Sequence, residues 1–297
     1  MVWKPTKALG LVTGLVILLT IISIGNALFQ SIARQDVGMG LYLTVLLLVL
    51  SLALLGLWGY WYYDLITLRY HLDRNALTIV CGTSRQVVPI KAIQRIVPGD
   101  TLEVSRRFHG IGWPGYMRGH AEVRGQGRLT IHSTEPLERQ VIIVTAQQCY
   151  GISPKDPQRF LADYAMRRAL GPMAKVNQGL EYRPVIAWPV WRDWRFWLVS
   201  ILVCMADIVL FGLVVNRYAI LPERMPLHRN ALGEVDRIAS KAWLFVMPGI
   251  GVLVLGINTA LGAILHRRER LGAYLLIGIA CGVQVILWFA ALGILNR

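Results

Sequence analysis

Long apolar stretches separated by polar segments are the first pattern along the chain. They cover residues 8–29, 40–63, 196–215, 243–265 and 271–295. Each is close to the roughly 20 residues that an α-helix needs to cross the hydrocarbon core of a bilayer. Trp and Tyr stand near the boundaries of four of them, as is usual at the headgroup layer. The pattern predicts five transmembrane helices, the first two within residues 1–63 and the last three within residues 196–297.

The polar segment at residues 64–170 has a different period. Short runs that alternate between apolar and polar residues, bounded by Gly, Pro, Ser and Asn, extend from about residue 66 to residue 153, which is typical of β-strands. After Pro157, apolar Phe160, Leu161 and Tyr164 follow a helical spacing that ends at Gly171-Pro172. We expect six or seven antiparallel strands and one C-terminal helix, as a small barrel or sandwich. The fold class is α+β, with this domain inserted among the membrane helices.

The composition supports a membrane protein. Hydrophobic residues make up 55% of the chain and charged residues 16%, which excludes an ordinary soluble domain and a disordered chain. Lys and Arg number 31 against 17 Asp and Glu, and 19 and 11 of these fall in residues 64–195. The positive-inside rule therefore predicts a bacterial inner-membrane protein with its N-terminus and residues 64–170 in the cytoplasm and its C-terminus outside. Five basic residues in the predicted extracytoplasmic loop, 216–242, argue the other way.

Residues 171–195 form a Trp-rich linker before the third span. Trp188, Trp191 and Trp194 recur at every third position, and Arg192 and Arg195 stand among them. Indole rings favour the headgroup layer, and arginine side chains reach from it into water. We interpret the linker as an interfacial anchor.

Four motifs in the polar segment resemble the bacterial pleckstrin-homology domains of membrane-associated proteins. They are "YHLDRNALTIVCG", "VVPIKAIQRI", "GIGWPGYMRGHAEVRGQGRLTIHST" and "CYGISPKDPQRFLADY", in the family's order. The resemblance implies a seven-stranded bent barrel closed by a C-terminal helix, with no catalytic residues of its own. It implies no particular ligand.

The predicted outer loop carries a second resemblance. "LPERMPLHRNALGEVDRIASKAW" is similar to a loop in a family of uncharacterised bacterial membrane proteins, whose relatives include the immunity protein of a sporulation-delaying toxin system. The matching residues are Pro222, Pro226, His228, Asn230, Gly233, Glu234, Asp236 and Lys241. The chain departs from the pattern at Arg229 and at Ile238-Ala239. The resemblance permits an immunity role and does not establish one.

Three polar residues within apolar stretches form a candidate intramembrane site. Asp207 lies midway along the third span, Asn258 lies in the fourth and Gln284 in the fifth. An ionisable residue in a membrane helix is a functional candidate by default, because burying its charge is costly. The alternative is structural: a protonated Asp207 that bonds to Asn258 or Gln284 would hold helices together.

Basic residues cluster in the middle of the polar segment. Arg106, Arg107, Arg118, Arg124 and Arg128 are candidates for contact with a lipid headgroup or a protein partner. The alternative is that they merely set the topology and settle the domain on an anionic leaflet. The nearby Gly110-Ile111-Gly112-Trp113-Pro114-Gly115 matches a dinucleotide-binding pattern, but no helix follows it, and we interpret it as a loop between strands.

The residue inventory does not indicate catalysis. The four Cys form no CxxC pair, and no nucleophile with a base or paired carboxylates stands out. His228, Glu234 and Asp236 could in principle bind a metal, but a zinc site needs three or four ligands held at fixed short spacing. In this Pro-interrupted loop a turn-rich connection capped by Asp236 or Ser240 is favoured. We expect no metal, cofactor or nucleic acid, and partners that are membrane lipid or another membrane or cytoplasmic protein. The sequence predicts a non-enzymatic membrane-tethered binding, sensing or scaffold module; the alternative is a small transporter or toxin-immunity protein.

Overall fold

The computed structural model describes residues 1–102, 108–125, 127–182, 188–229 and 235–295, and only the backbone of residues 182, 226–229 and 235–237. The chain forms two compact units. Unit 1 consists of Met1–Gly25 and Ser51–Ile186, and unit 2 consists of Asn26–Leu50 and Ala187–Arg297. Unit 1 thus joins parts of the first two helices to the β-rich segment.

The helices follow the apolar stretches closely. They are α1 (Ala8–Ile32), α2 (Met39–Thr67), α3 (Pro157–Leu170), α4 (Trp194–Tyr218), α5 (Val246–Leu265) and α6 (Arg270–Leu295). All except α3 are long and apolar enough to cross a membrane, α5 together with the 3-10 turn Lys241–Phe245 that precedes it. The prediction of five candidate spans is confirmed.

Unit 1 contains two β-sheets. The first has the order β1-β2-β3-β4-β11 and the second has the order β5-β9-β10-β8-β7-β6. The strands of the first sheet are β1 (Val2–Trp3), β2 (Arg69–Leu72), β3 (Ala76–Cys81), β4 (Ser84–Pro89) and β11 (Gly179–Tyr182); those of the second are β5 (Ile93–Pro98), β6 (His109–Trp113), β7 (Tyr116–Val123), β8 (Gly127–Ser133), β9 (Val141–Thr145) and β10 (Cys149–Ile152).

Of the two expected architectures, barrel or sandwich, the closed barrel is wrong, because no ladder of hydrogen bonds joins the two sheets in the described chain. After β4 the chain turns through Ile90–Ala92, and β5 pairs with β9 instead of β4. The free edge of β4 takes β11, which lies in the predicted linker, and β2 takes β1. One pair, β8 with β10, is parallel, whereas all strands were expected to be antiparallel.

The two sheets and α3 share one apolar core. It contains Tyr70 and Ile79 from the first sheet, Tyr150 from the second and Phe160 from α3, all almost fully buried. Asp156 caps α3, since its Oδ1 accepts from the Arg159 amide at 3.0 Å, and Gly171 ends the helix with φ at +68°. A positive φ favours glycine, which is why the helix ends where the sequence predicted.

The turn between β6 and β7 packs directly on α1. Trp113 Nε1 donates to the Gly10 carbonyl at 3.1 Å, and Thr13 Oγ1 donates to the Pro114 carbonyl at 2.8 Å. Gly10 and Gly115 allow this close approach, since a Cβ on either would collide with the backbone of the other. The glycine-rich motif expected as a loop is therefore strand β6 and a tight turn against a membrane helix.

Replacing Gly10 with alanine should loosen this contact. The added methyl group would collide with the Gly115 carbonyl oxygen, a backbone atom that cannot move alone. Overpacking of this kind costs about 2 kcal/mol, and we expect the thermal unfolding midpoint of the detergent-solubilised protein to fall by roughly 5 °C. Gly56→Ala on α2 is the matched control, because its Cβ would meet nothing within 4 Å. Equal midpoints for the two variants would contradict the prediction.

In unit 2, Asp193 links the beginning of α4 to the connection between α5 and α6. Its carboxylate accepts hydrogen bonds from His266 Nε2 at 2.9 Å, Arg270 Nε at 2.9 Å and Tyr274 Oη at 2.9 Å. It also caps α4 by accepting from the Phe196 amide. Asp193 and His266 are buried, whereas the Arg270 side chain is 62% exposed, so the network runs from the interior to the surface.

The described part of segment 216–242 in unit 2 differs from the expected connection. In place of a turn-rich connection it contains an antiparallel hairpin of β12 (Arg224–Arg229) and β13 (Val235–Ser240). The alternating residues of both strands permit this pairing, and sequence reasoning overlooked it. Ser240 Oγ accepts from the Ala242 amide at 3.3 Å, so the cap predicted there is confirmed.

Candidate functional site

A polar cavity of about 340 Å³ lies between the two sheets of unit 1. We call it the inter-sheet pocket. β4 of the first sheet and the approach to β11 line one side, and β7, β8 and the turn before β10 line the other. The lining residues are Ser84, Gln86, Arg118, Gly119, His120, Arg128, Thr130, His132, Gln147, Gln148, Gln178, Gly179 and Leu180. Basic, amide and hydroxyl side chains predominate, and this lining includes no acid.

The alternation along β7 and β8 explains the polar wall. Arg118 faces His132 across the two strands, and His120 faces Thr130 in the same register. Residues two apart on a strand point to one face, so these polar side chains share a face. Leu129, between the polar positions, points the other way into an apolar cluster. This strand pair can therefore line the pocket with its polar face while its apolar face packs into the core.

Three amide side chains meet at one tyrosine hydroxyl beside the pocket. Gln86, Gln148 and Gln178 donate from Nε2 to Tyr150 Oη at 3.2, 2.6 and 2.8 Å. Gln86 Nε2 also donates to the Gly179 carbonyl at 2.9 Å, which ties β11 to β4. The amide groups are therefore held in fixed orientations before any ligand arrives.

His132 has a buried nitrogen without a partner among the described residues. The side chain is 6% exposed, and Nδ1 makes no hydrogen bond within the described part of the chain. Burial lowers the pKa of His132 to about 3, and the nearby Arg118 charge adds to this effect. The ring is therefore neutral at physiological pH. An unsatisfied buried polar atom costs free energy, and here that atom belongs to a residue that lines a cavity.

Arg118 also binds a carboxylate of a membrane helix. Its Nη1 forms an ion pair with Asp64 Oδ2, and its Nη2 donates to Ser84 Oγ at 3.3 Å. Asp64 lies near the end of α2 and is fully buried. Gly82, with φ at +56°, passes beside the carboxylate where a Cβ would collide. Arg118 therefore lines the pocket and also forms an ion pair at the end of α2.

The structure brings only some of the five predicted arginines to the inter-sheet pocket. Arg118 and Arg128 line the inter-sheet pocket. Arg124 lies in the exposed turn between β7 and β8, and Arg106 and Arg107 lie outside the described residues. Asp64 was missed as a site residue because it stands at the boundary of an apolar stretch. The only indication in the sequence was that an acidic residue stands at the end of a span whose flanks are basic.

In unit 2, two of the three predicted intramembrane residues lie close together and the third lies apart. Asp207 of α4 and Gln284 of α6 are 3% and 4% exposed, and both approach Gly251 of α5. Asp207 Oδ1 and Gln284 Nε2 have no hydrogen-bond partner in the described ranges. Asn258 is not part of this group, because it lies about two helical turns beyond Gly251 and donates to the Val254 carbonyl of its own helix at 2.8 Å.

The outer-loop motif falls on the hairpin of unit 2. Pro226 and His228 lie on β12, Asp236 lies on β13, and exposed Pro222 precedes the hairpin. Asn230 and Gly233 lie outside the described residues. Lys241 Nζ contacts Glu223 Oε1 at 3.1 Å beside the hairpin. Among the residues that the structure describes, no group of three or more His, Cys, Asp or Glu is placed to hold a metal ion.

Comparison with known families agrees with this architecture. Residues 68–168 match the family model described as bacterial PH domain, from β2 to near the end of α3. Residues 207–252 match a domain of unknown function (DUF1648), a range that contains Asp207, the hairpin and Gly251. No curated protein and no solved structure matches the chain. The chain therefore contains a segment that matches a bacterial PH domain, and its five long apolar helices fit a multi-pass membrane protein. The relation to the toxin-immunity protein stays a prediction.

Proposed function

We propose that this protein is a non-enzymatic, membrane-tethered sensing module that binds its ligand or partner at the PH-like domain. The observation that carries the proposal is that this domain and parts of α1 and α2 form one compact unit with buried contacts between them. A binding domain that is only tethered to the membrane needs no buried contacts with its membrane helices. Here strands and helices belong to one compact unit, so a change at the sheets reaches the spans directly.

Three contacts support this route of transmission. Trp113 of β6 donates to Gly10 of α1, Trp58 of α2 donates from Nε1 to the Gly14 carbonyl at 3.0 Å, and Asp64 of α2 pairs with Arg118. Each joins a helix to a strand or to the other helix through a buried or half-buried side chain. A shift of β7 by a bound ligand would therefore move the end of α2.

The proposal also includes the orientation of the chain in the membrane. We place the N-terminus and the PH-like domain in the cytoplasm of a bacterial cell with an inner membrane, and the C-terminus outside, following the basic flanks of residues 64–195. The binding partners are then membrane lipid or a membrane or cytoplasmic protein. The absence of a nucleophile with a base from the sequence supports a role without catalysis.

A second candidate function rests on Asp207 and Gln284. Asp207 and Gln284 interact with each other, and each keeps one buried atom without a partner among the described residues, close to Gly251. A small transporter could use such a pair to bind a proton or a polar solute. In that case α4, α5 and α6 do the work and the PH-like domain regulates them. An immunity-type protein would be a variant of this arrangement.

One experiment separates the two candidates. The full chain would be extracted with its native lipids into polymer nanodiscs, and native mass spectrometry would identify every species retained at moderate salt. Hydrogen–deuterium exchange, measured before and after that species is stripped, would locate its site. We expect protection on β4, β7 and β8 and at residues 60–67. Retention of bulk lipid alone, or protection confined to α4–α6, would overturn the sensing proposal.

A further inference from the structure

A cavity of about 630 Å³ lies between α5 and α6, beside the short turn that joins them. We call it the α5–α6 groove, and its lining residues are Leu261, Ile264, Leu265, Arg267, Arg268 and Leu276. The two arginines belong to the turn, whereas the four aliphatic residues belong to the helices. The groove is therefore cationic at one end and apolar along the rest of its length.

The charges of Arg267 and Arg268 are not compensated within the described part of the chain. Asp193 pairs with the other two basic residues of this region, His266 and Arg270. Neither Arg267 nor Arg268 forms an ion pair or a side-chain hydrogen bond in the described ranges. Two guanidinium groups thus stand at the groove with their N–H donors available to an anion.

Arg267 is already held in place. Its Cζ atom lies over the Trp188 ring, 4.7 Å from the ring centroid. A contact with the face of an indole leaves the N–H donors in the plane of the guanidinium, so they can still bind an anion. The acid of the same turn, Glu269, is exposed and does not line the groove. The groove therefore offers an oriented cationic donor without a competing carboxylate in its lining.

The apolar part of the groove extends into the layer that lipid chains occupy. α5, with its preceding turn, and α6 are candidate membrane spans, and Leu276 lies about 9 Å along α6 from its first residue, Arg270. A soluble anion would leave this apolar wall unused, and a neutral lipid would leave the arginines unpaired. A basic pocket between membrane helices suits an anionic headgroup, whose acyl chains can follow the helices.

We infer that the α5–α6 groove binds one anionic phospholipid, with its phosphodiester on Arg267 and Arg268 and an acyl chain along Leu261 and Leu276. The bound lipid joins α5 to α6 at the end of unit 2 that the Asp193 network connects to α4. This inference goes beyond the proposed function, because the site lies in unit 2 and not in the PH-like domain. It holds for either orientation of the chain in the membrane.

The test titrates the full chain, stripped of lipid in detergent, with phosphatidylglycerol and with phosphatidylcholine of the same acyl chains. Native mass spectrometry counts the lipids bound. We expect one phosphatidylglycerol to bind about 10-fold more tightly than phosphatidylcholine, because two arginines attract the anionic lipid. Arg268→Gln should weaken phosphatidylglycerol binding about 5-fold and leave phosphatidylcholine binding unchanged.

Arg195→Gln is the matched control for charge. Arg195 is an exposed arginine that lies over Trp194 in the first turn of α4, and it does not line the groove. Its replacement removes the same charge from the same unit, and we expect the preference for phosphatidylglycerol to persist. Equal weakening by Arg195→Gln and Arg268→Gln, or a wild type without this preference, would overturn the inference.

Leu261→Trp tests the apolar half of the site. Leu261 is 48% exposed, so a larger side chain fills the groove without disturbing a core and without changing the charge. We expect weaker binding of phosphatidylglycerol by several-fold with an unchanged thermal unfolding midpoint. Leu253→Trp is the control, the same change about two helical turns earlier on α5, at an exposed position that does not line the groove. Phosphatidylglycerol binding that is equal in the two variants would overturn the inference.

Discussion

Replacing Asp193 with alanine is expected to lower the free energy of unfolding by about 3 kcal/mol, since it removes the cap of α4 and leaves the His266 and Tyr274 donors without their acceptor. The carboxylate accepts from His266, Arg270, Tyr274 and the Phe196 amide. Its loss would leave these donors without their acceptor and would uncap α4. The change can be measured by chemical unfolding of the full chain in detergent micelles, followed by circular dichroism.

Asp156→Ala is the matched control. Asp156 also caps a helix, α3, but accepts a single hydrogen bond there, from the Arg159 amide at the protein surface. Loss of such a cap costs about 1 kcal/mol. If the two variants lost equal stability, the network around Asp193 would contribute no more than an ordinary helix cap.

The Asp193 network should also give unit 2 a characteristic response to acid. Burial raises the pKa of Asp193, but hydrogen bonds from His266, Tyr274, the Phe196 amide and Arg270 outweigh it and hold the pKa well below its usual value. A carboxylate with a depressed folded pKa contributes stability above its unfolded value, about 3.9, and loses it as pH falls further. The wild type should therefore lose its advantage over Asp193→Ala below about pH 4.

Replacing Arg118 with leucine is the second change with a large expected effect. Asp64 is fully buried, and Arg118 is its ion-pair partner. Removal of one partner leaves a carboxylate uncompensated in an apolar environment, at a cost of about 3 to 5 kcal/mol. We expect the thermal unfolding midpoint of the full chain to fall by roughly 10 °C.

The double variant Asp64→Asn with Arg118→Leu shows whether the charge causes this loss. Asparagine keeps the size of Asp64 without its charge, so most of the stability should return. The single variant Asp64→Asn leaves Arg118, which is 22% exposed and able to reach water, and should therefore cost less than Arg118→Leu. A double variant no more stable than Arg118→Leu would mean that packing, and not charge, explains the effect.

The candidate sites show how far sequence reasoning reached. Asp207 and Gln284 stood out because polar residues are rare in apolar stretches, but their common approach to Gly251 depends on how three helices pack. Arg118 and Arg128 stood out only as members of a basic group. Their place in one pocket depends on the register of β7 with β8 and on the position of β11. His132 gave no signal, since burial is a property of the folded chain.

The five candidate spans, the strand-rich segment, its closing helix and the likeness to a bacterial PH domain could be read from the sequence by itself. Hydrophobic length, alternation and capping residues such as Asp156 and Gly171 are local properties that each segment carries within itself. The open pair of sheets, the docking of Trp113 on Gly10, the Asp64–Arg118 pair and the Asp193 network were decided by the tertiary structure alone. The Trp113–Gly10, Asp64–Arg118 and Asp193–Tyr274 contacts join residues more than 50 positions apart in the sequence, and no local pattern specifies which distant strand edge or charge a segment will meet.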